Sequence, residues 1–153
     1  MNYSLLIYEP VLDDYKKQRL DEELSMFVQD ERCTQIVVGC TSDWILKLST
    51  HPTPKTMWVQ MPKTNYSSLL TGLKAISEEM VLVIHLEQNL SMKDIDVVLE
   101  NLNQYPAIYK NDSLQGFDTR LLMFSLQLAI ELNYAVDSYG DVVKLASTPL
   151  RYI

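Results

Sequence analysis

The sequence predicts a three-layer α/β domain, a mainly parallel sheet with helices on both faces. Three observations lead there. Strand-like and helix-like hydrophobic periods alternate almost throughout the chain, with short connections, which is the pattern of right-handed crossover units. The apolar strand segments are continuous runs, with MVLVI at Met80 to Ile84 the most apolar, as suits strands covered on both faces. The 153 residues fit one domain, 1–153, and a chain of that size hides roughly 70% of its unfolded surface.

The elements follow in order. Tyr3 to Tyr8 (YSLLIY) is a short strand, and Asp13 to Asp30 is a helix. That helix carries Leu20, Leu24, Phe27 and Val28 on one face and Lys16, Lys17, Glu22 and Glu23 on the other. Gln35 to Cys40 (QIVVGC) is a buried strand, Ser42 caps a short helix bearing Trp44, Ile45 and Leu48, and Met57 to Met61 is a third strand. Thr64 or Asn65 caps a helix with Leu69, Leu70, Leu73 and Ile76 at helical spacing. After the fourth strand, Ser91 and Asp94 form a capping box ahead of Ile95, Val98, Leu99 and Leu102. Ala107 to Tyr109 reads as a short strand and Asp118 to Leu132 as a long helix. Asp141 to Ala146 reads as a turn or two of helix, and Leu150 to Ile153 as a last strand. The sum is Rossmann-like.

Composition narrows the function. Thirteen basic residues against 20 acidic give a formal net charge of -7, the wrong sign for a general nucleic-acid binder. No run reaches the roughly 18 apolar residues of a membrane span. The N-terminal stretch MNYSLLIYEPVLDD has no basic n-region or cleavage pattern, so no signal peptide and a cytoplasmic location are expected. Cys33 and Cys40 match no common zinc spacing and are expected as reduced thiols.

In an open α/β sheet, ligands sit beyond the carboxyl ends of the strands. Those ends bring Glu9 and Pro10, Cys40 to Ser42, Pro62 to Ser68, His85 to Asn89 and Tyr109 to Asp112 into view. The chain has no GxGxxG, no P-loop and no GxSxG elbow.

Two stretches carry a family resemblance. Ser68-Leu-Leu-Thr-Gly-Leu73, then Val81-Leu-Val-Ile-His85, then Ile95-Asp-Val-Val-Leu99 form the first. Leu114-Gln-Gly-Phe-Asp118 followed by Leu121, Leu122 and Ala129, then Asp137 and Pro149-Leu-Arg-Tyr-Ile153, form the second. Pro10-Val11-Leu12 and Ile36-Val37-Val38 add an N-terminal match. The chain resembles the methylerythritol-phosphate and ribitol-phosphate cytidylyltransferases, whose fold is that of nucleotide-diphospho-sugar transferases. The corresponding family patterns are S-V-x-x-G-L, V-L-V-H-D-A-A-R-P, T-P-Q-x-F, T-D-D-A-S, P-L-L and I-V-V.

The resemblance implies CTP and Mg²⁺ as ligands and a sugar-alcohol phosphate as acceptor, yet the chemistry-bearing positions depart from it. Such transfer rests on positioning and positive charge. The family's glycine-rich basic loop after strand one is replaced by Glu9-Pro10-Val11, and no glycine precedes Gly39. The family's H-D-A-A-R-P becomes His85-Leu86-Glu87-Gln88-Asn89-Leu90, with Leu86 at the metal-binding Asp and Asn89 at the Arg. Glu87, one residue along, is a candidate Mg²⁺ ligand pointing in a different direction. Asn65 replaces a basic residue, with Lys63 nearby, while Ser68 is kept. The second acid of T-D-D-A-S is Ser138, and the sequence ends at Ile153, ahead of the family's closing N-I-K-I-T segment. The family's long dimer-building β-arm has no room between Pro106 and Gln115, which leaves little more than a loop.

The expectation is therefore a trimmed, catalytically degenerate relative that serves as a binding, assembly or regulatory module without a cofactor. It would act through a protein partner or self-association, an active paralogue among the possibilities. The alternative is an active cytidylyltransferase using Lys63, Ser68, His85, Glu87 and Asp137. His85 also suits a phosphoacceptor or a base, against a structural histidine at a sheet edge, the reading we favour. A receiver-like reading would place phosphate on Asp13 or Asp14, which more simply open a helix. Lys16, Lys17 and Arg19 read as that helix's solvated face. Leu121 to Phe124, four apolar residues in a row, cannot all face one core stripe, so part of that helix is expected to meet a partner or a further element. Tyr134, Tyr139 and Tyr152 invite the same reading.

Overall fold

The computed structural model describes residues 1–9, 11–62, 65–136 and 138–153. One seven-stranded sheet runs in the order β3-β2-β1-β4-β6-β5-β7. Its strands are β1 Tyr3–Tyr8, β2 Cys33–Cys40, β3 Thr56–Gln60, β4 Met80–Ile84, β5 Ala107–Asn111, β6 Leu114–Asp118 and β7 Arg151–Tyr152. The helices are α1 Asp14–Gln29, α2 Ser42–Leu48, α3 Tyr66–Leu73, α4 Met92–Leu102 and α5 Thr119–Glu131, with a 3-10 helix at Tyr139–Ala146.

Strand alternation divides the core into two layers. Leu5 and Ile7 of β1 join Leu20, Leu24 and Phe27 of α1 and Ile95, Val98 and Leu99 of α4 on one face. Leu6 and Tyr8 join Leu69 and Leu73 of α3, Leu122 and Leu126 of α5 and Val142 and Val143 of the 3-10 helix on the other. This side-to-side alternation is what period-2 strand geometry requires. The three-layer expectation holds. β1 pairs in parallel with β2 and β4, and β2 in parallel with β3.

One strand escaped the sequence reading. Leu114–Asp118 pairs antiparallel with both β4 and β5. The segment read as a loop between Pro106 and Gln115 is thus part of a hairpin, β5 running to Asn111 and turning through Asp112 and Ser113. Gly116 and the mixed composition of LQGFD hid the strand. The glycine is there because a Cβ would lie 2.6 Å from Val98 Cγ1, so β6 and α4 approach through it.

The caps are mostly as expected. Asn65 accepts from the Ser68 N–H, and Ser91 and Asp94 form their reciprocal box. Asp13 caps α1 by accepting the Lys16 N–H at 2.8 Å, which engages one of the two acids offered for a receiver-like pocket. The short helix α2 is preceded by Thr41 rather than capped by Ser42, and Thr41 makes no side-chain cap bond.

The polar face assigned to α1 needs correction. Arg19 and Glu23 are buried. Burial raises the Glu23 pKa, the Leu90 backbone and the Arg19 charge acting against it, and its Oε2 has no hydrogen-bond partner among the described residues. Arg19 donates to the Tyr15 hydroxyl at 3.0 Å and its guanidinium lies over the Tyr15 ring. Lys16 turns toward Glu9 instead of solvent.

Candidate functional site

In this topology the strand order reverses between β1 and β4, so the crevice beyond their carboxyl ends is where a ligand is expected. Glu9 follows β1 and is buried, at 6% exposure. Its Oε1 meets Lys16 Nζ at 2.5 Å and its Oε2 accepts the Leu86 N–H at 3.2 Å. A carboxylate from the chain itself thus stands at the switch point and holds both an ammonium and an amide. Burial alone would lower the Lys16 pKa, but the hydrogen bond and charge of Glu9, with Glu87 and Asp13 beyond, carry it above its ordinary value. Leu86 is fully buried in the core, so its side chain offers no ligand and its backbone N–H is taken by Glu9.

Beside this pair lies an open cavity of about 200 Å³ lined by His85, Glu87, Asp112, Gln115, Ser138 and Tyr139. Four parts of the fold build it. His85 follows β4, and its N–H donates to the Ser113 carbonyl at 3.0 Å, tying it to the hairpin turn. Asp112 lies in that turn and accepts from the Tyr109 hydroxyl. Gln115 is the second residue of β6, opposite Val83. Ser138 and Tyr139 start the 3-10 helix.

His85 is not at a sheet edge as the sequence suggested. Its strand is central, and its ring packs against Tyr8 at 5.3 Å and Tyr139 at 5.9 Å between centroids. Burial lowers its pKa, and the attraction of Glu9 and Glu87 only partly offsets that. Burial also raises the Tyr139 pKa, and it raises that of Tyr8 to about 12. These rings are neutral packing partners at ordinary pH.

Of the sequence candidates, the structure gathers His85 and Glu87 in one cavity. Ser68 lies elsewhere, buried in the first turn of α3, where its backbone N–H is held by Asn65 Oδ1 at 2.8 Å. Lys63 and Asp137 lie outside the described residues. Asp112 belongs to the strand-end stretch Tyr109 to Asp112 that the sequence brought into view, whereas Gln115 was missed as a site residue. Gln115 falls within the second family-like stretch, but only the hairpin brings β6 against β4 and aims that stretch at the crevice.

The described residues can be tested against CTP and Mg²⁺. Glu87 and Asp112 are oxygen donors of the kind a magnesium ion takes. Among the described residues, no group of three or more His, Cys, Asp and Glu side chains is gathered closely enough to hold a metal ion. No described Lys or Arg lines the cavity, and the nearby Lys16 is already paired. The described residues therefore do not fit a magnesium triphosphate.

Comparison with solved structures places the fold. A 2-C-methyl-D-erythritol 4-phosphate cytidylyltransferase from Thermus thermophilus matches with a TM-score of 0.78 at 17% identity, over 100% of this chain and 88% of that one. A 4-diphosphocytidyl-2C-methyl-D-erythritol synthase from Anaerococcus prevotii matches at 0.78 and 15% identity, covering 99% and 86%. The chain has the cytidylyltransferase fold. The same architecture extends to a mannosyltransferase from Pyrobaculum calidifontis in complex with GDP-Man and Mn²⁺, at TM-score 0.68 and 12% identity over 99% and 54%. No family model matches the sequence, and no curated protein does. No helix among the described residues is long and apolar enough to cross a membrane. Cys33 and Cys40 are free and buried.

Proposed function

We propose that this protein is a catalytically degenerate member of the cytidylyltransferase fold that works as a binding, assembly or regulatory module. The observation that carries this reading is the Glu9 carboxylate at the switch point. Transfer of a nucleotidyl group needs preorganised cations and amide donors around the phosphates. Here the amide of Leu86 and the ammonium of Lys16 both point at the chain's own anion. An incoming phosphate meets a buried negative charge rather than a cradle.

The reading extends to a protein partner or a second copy. Phe124 on α5 is 58% exposed, and Leu132 and Tyr134 beyond it are exposed as well. The run Leu121 to Phe124 puts only Leu122 fully in the core.

The rival reading, an active cytidylyltransferase, draws on Glu87 lining the same cavity as His85. Pyrophosphate release from CTP, with Mg²⁺ and ribitol phosphate or methylerythritol phosphate as acceptor, separates the two. Our reading expects no release above the protein-free rate. Turnover that Glu87→Gln abolishes establishes the rival.

A further inference from the structure

The strand β3 forms one edge of the sheet, and the other edge, β7, is only two residues long. The ladder to β2 fixes which β3 groups are engaged. The Lys55 carbonyl accepts the Ile36 N–H at 2.9 Å, and the Met61 N–H donates to the Cys40 carbonyl at 2.9 Å. The register between them runs unbroken from Thr56 to Gln60. Period-2 geometry therefore turns the backbone groups of Met57 and Val59 toward β2 and those of Thr56, Trp58 and Gln60 away from the sheet. The Thr56 N–H returns to the Thr53 carbonyl at 3.3 Å. The Thr56 carbonyl and both backbone groups of Trp58 and Gln60 are left facing outward, as a template for another strand.

Natural edges are commonly blunted by charge, proline, a bulge or a cover. The β3 segment TMWVQ has no charged residue and no proline, and its ladder carries no register shift. Met57 is 48% exposed, and Gln60 is exposed as well. Trp58 is half-buried, with an open cavity of about 420 Å³ beside it against Leu24 and Leu48. This edge is uncovered.

The strand is also complementary to itself. A two-fold axis that joins the same edge of two copies pairs the strands antiparallel. Centred on Trp58, that pairing sets Trp58 opposite Trp58, Thr56 opposite Gln60 and Met57 opposite Val59. No charge meets a charge, and apolar side chains meet on both faces. Pro54 falls opposite Pro62 and closes the ladder at each end. The neighbouring registers would set Pro54 opposite Gln60 or Pro62 opposite Thr56, and proline has no N–H to give.

We propose that β3 pairs antiparallel with β3 of a second copy about a two-fold axis at Trp58. The Trp58 N–H of each copy donates to the Trp58 carbonyl of the other, and the Gln60 N–H donates to the Thr56 carbonyl. The indoles meet on the α1 face, and Met57 meets Val59 on the α3 face. One sheet then runs through both copies. The proposal rests on the assembly side of the reading above and names its surface and its partner. A contact made by one short strand falls below roughly 1,200 Å², so the dimer exchanges with monomer at micromolar concentrations or above.

The test is sedimentation velocity of the full chain from micromolar to near-millimolar concentration, with amide hydrogen exchange over the same range. A reversible monomer–dimer equilibrium is expected. Protection that grows with concentration is expected at the Trp58 and Gln60 amides and not at Met57 and Val59, which β2 already holds. The double variant Thr56→Lys with Gln60→Lys sets like charges opposite each other and should weaken the dimer at least about tenfold. Thr56→Lys with Gln60→Glu sets opposite charges there and should stay within about threefold of wild type. Phe124→Asp on α5 should leave the dimer unchanged.

A monomer at every concentration overturns the proposal and leaves the non-catalytic reading standing. So does a dimer that Phe124→Asp dissolves, one that the two lysines leave intact, or open-ended oligomers. Equal weakening by the lysine pair and the lysine–glutamate pair overturns the antiparallel register, and with it the proposal. Pyrophosphate release from CTP, measured separately, bears on the non-catalytic reading alone.

Discussion

Lys16 Nζ and Glu9 Oε1 meet at 2.5 Å across the turn that joins β1 to α1. The pair is partly shielded from solvent, and the other Glu9 oxygen takes the Leu86 N–H at 3.2 Å. One carboxylate therefore links the ends of β1 and β4 with the first turn of α1. Removing one partner of such an arrangement leaves a charge and an amide without an answer. Glu9→Gln should lower unfolding stability by about 2 kcal/mol, read from urea denaturation at pH 7. It should also create weak pyrophosphate binding that the wild type lacks, because Lys16 is released.

His85 gives a pH signature. Its folded pKa lies below the ordinary histidine value because of burial. The unfolded chain therefore takes up its proton first as pH falls. The His85 contribution to stability is intact above about pH 6.5 and is lost as pH drops toward and through the folded value. Chemical denaturation of the wild type and His85→Gln across this range should show a loss in the wild type that the variant lacks.

Gly39 and Gly72 both act on one residue. A Cβ on Gly39 would lie 2.1 Å from Met61 Sδ, and one on Gly72 would lie 2.0 Å from Met61 Cε. Met61 is thus threaded between β2 and α3 through the two gaps. Gly39→Ala should cost about 1–3 kcal/mol by overpacking. Gly72→Ala should cost less, because Ala is favoured over Gly in a helix by roughly 1 kcal/mol and the clash is with the far end of the flexible methionine. Combining Gly39→Ala with Met61→Ala should cost less than the sum of the two single changes, a coupling that a double-mutant cycle measures.

Much of the fold was legible because its signals are local. YSLLIY, QIVVGC and MVLVI are apolar runs bounded by polar residues, and Asp13, Asn65 and Ser91 announce their helices. The β6 strand was not legible, since Gly116 and Gln115 interrupt its apolar run and their reasons lie on α4 and the 3-10 helix. Glu9 was visible as a strand-end residue, but its pairing with Lys16 and Leu86 is a matter of tertiary placement. For the same reason Arg19 and Glu23 were assigned to a solvated face. Their helical phase fits solvent, and only tertiary packing, with Leu90 beside Glu23, buries them.

The thiols should be inert in the native state. Burial raises the pKa of both Cys33 and Cys40 to about 11, and reactivity follows the thiolate. A disulfide reagent such as DTNB at about pH 8, below the ordinary thiol pKa, should modify neither thiol until denaturant is added, after which both react. Fast labelling of the folded protein would contradict the burial of these two strand residues.

The central claim is that the end of the sheet is closed to a nucleotide by the chain's own carboxylate, with no described Lys or Arg lining the cavity beside it. Isothermal titration of the wild-type protein with CTP in the presence of Mg²⁺ tests it most directly. We expect no saturable heat at millimolar nucleotide. Magnesium-dependent CTP binding in the micromolar range would contradict the account.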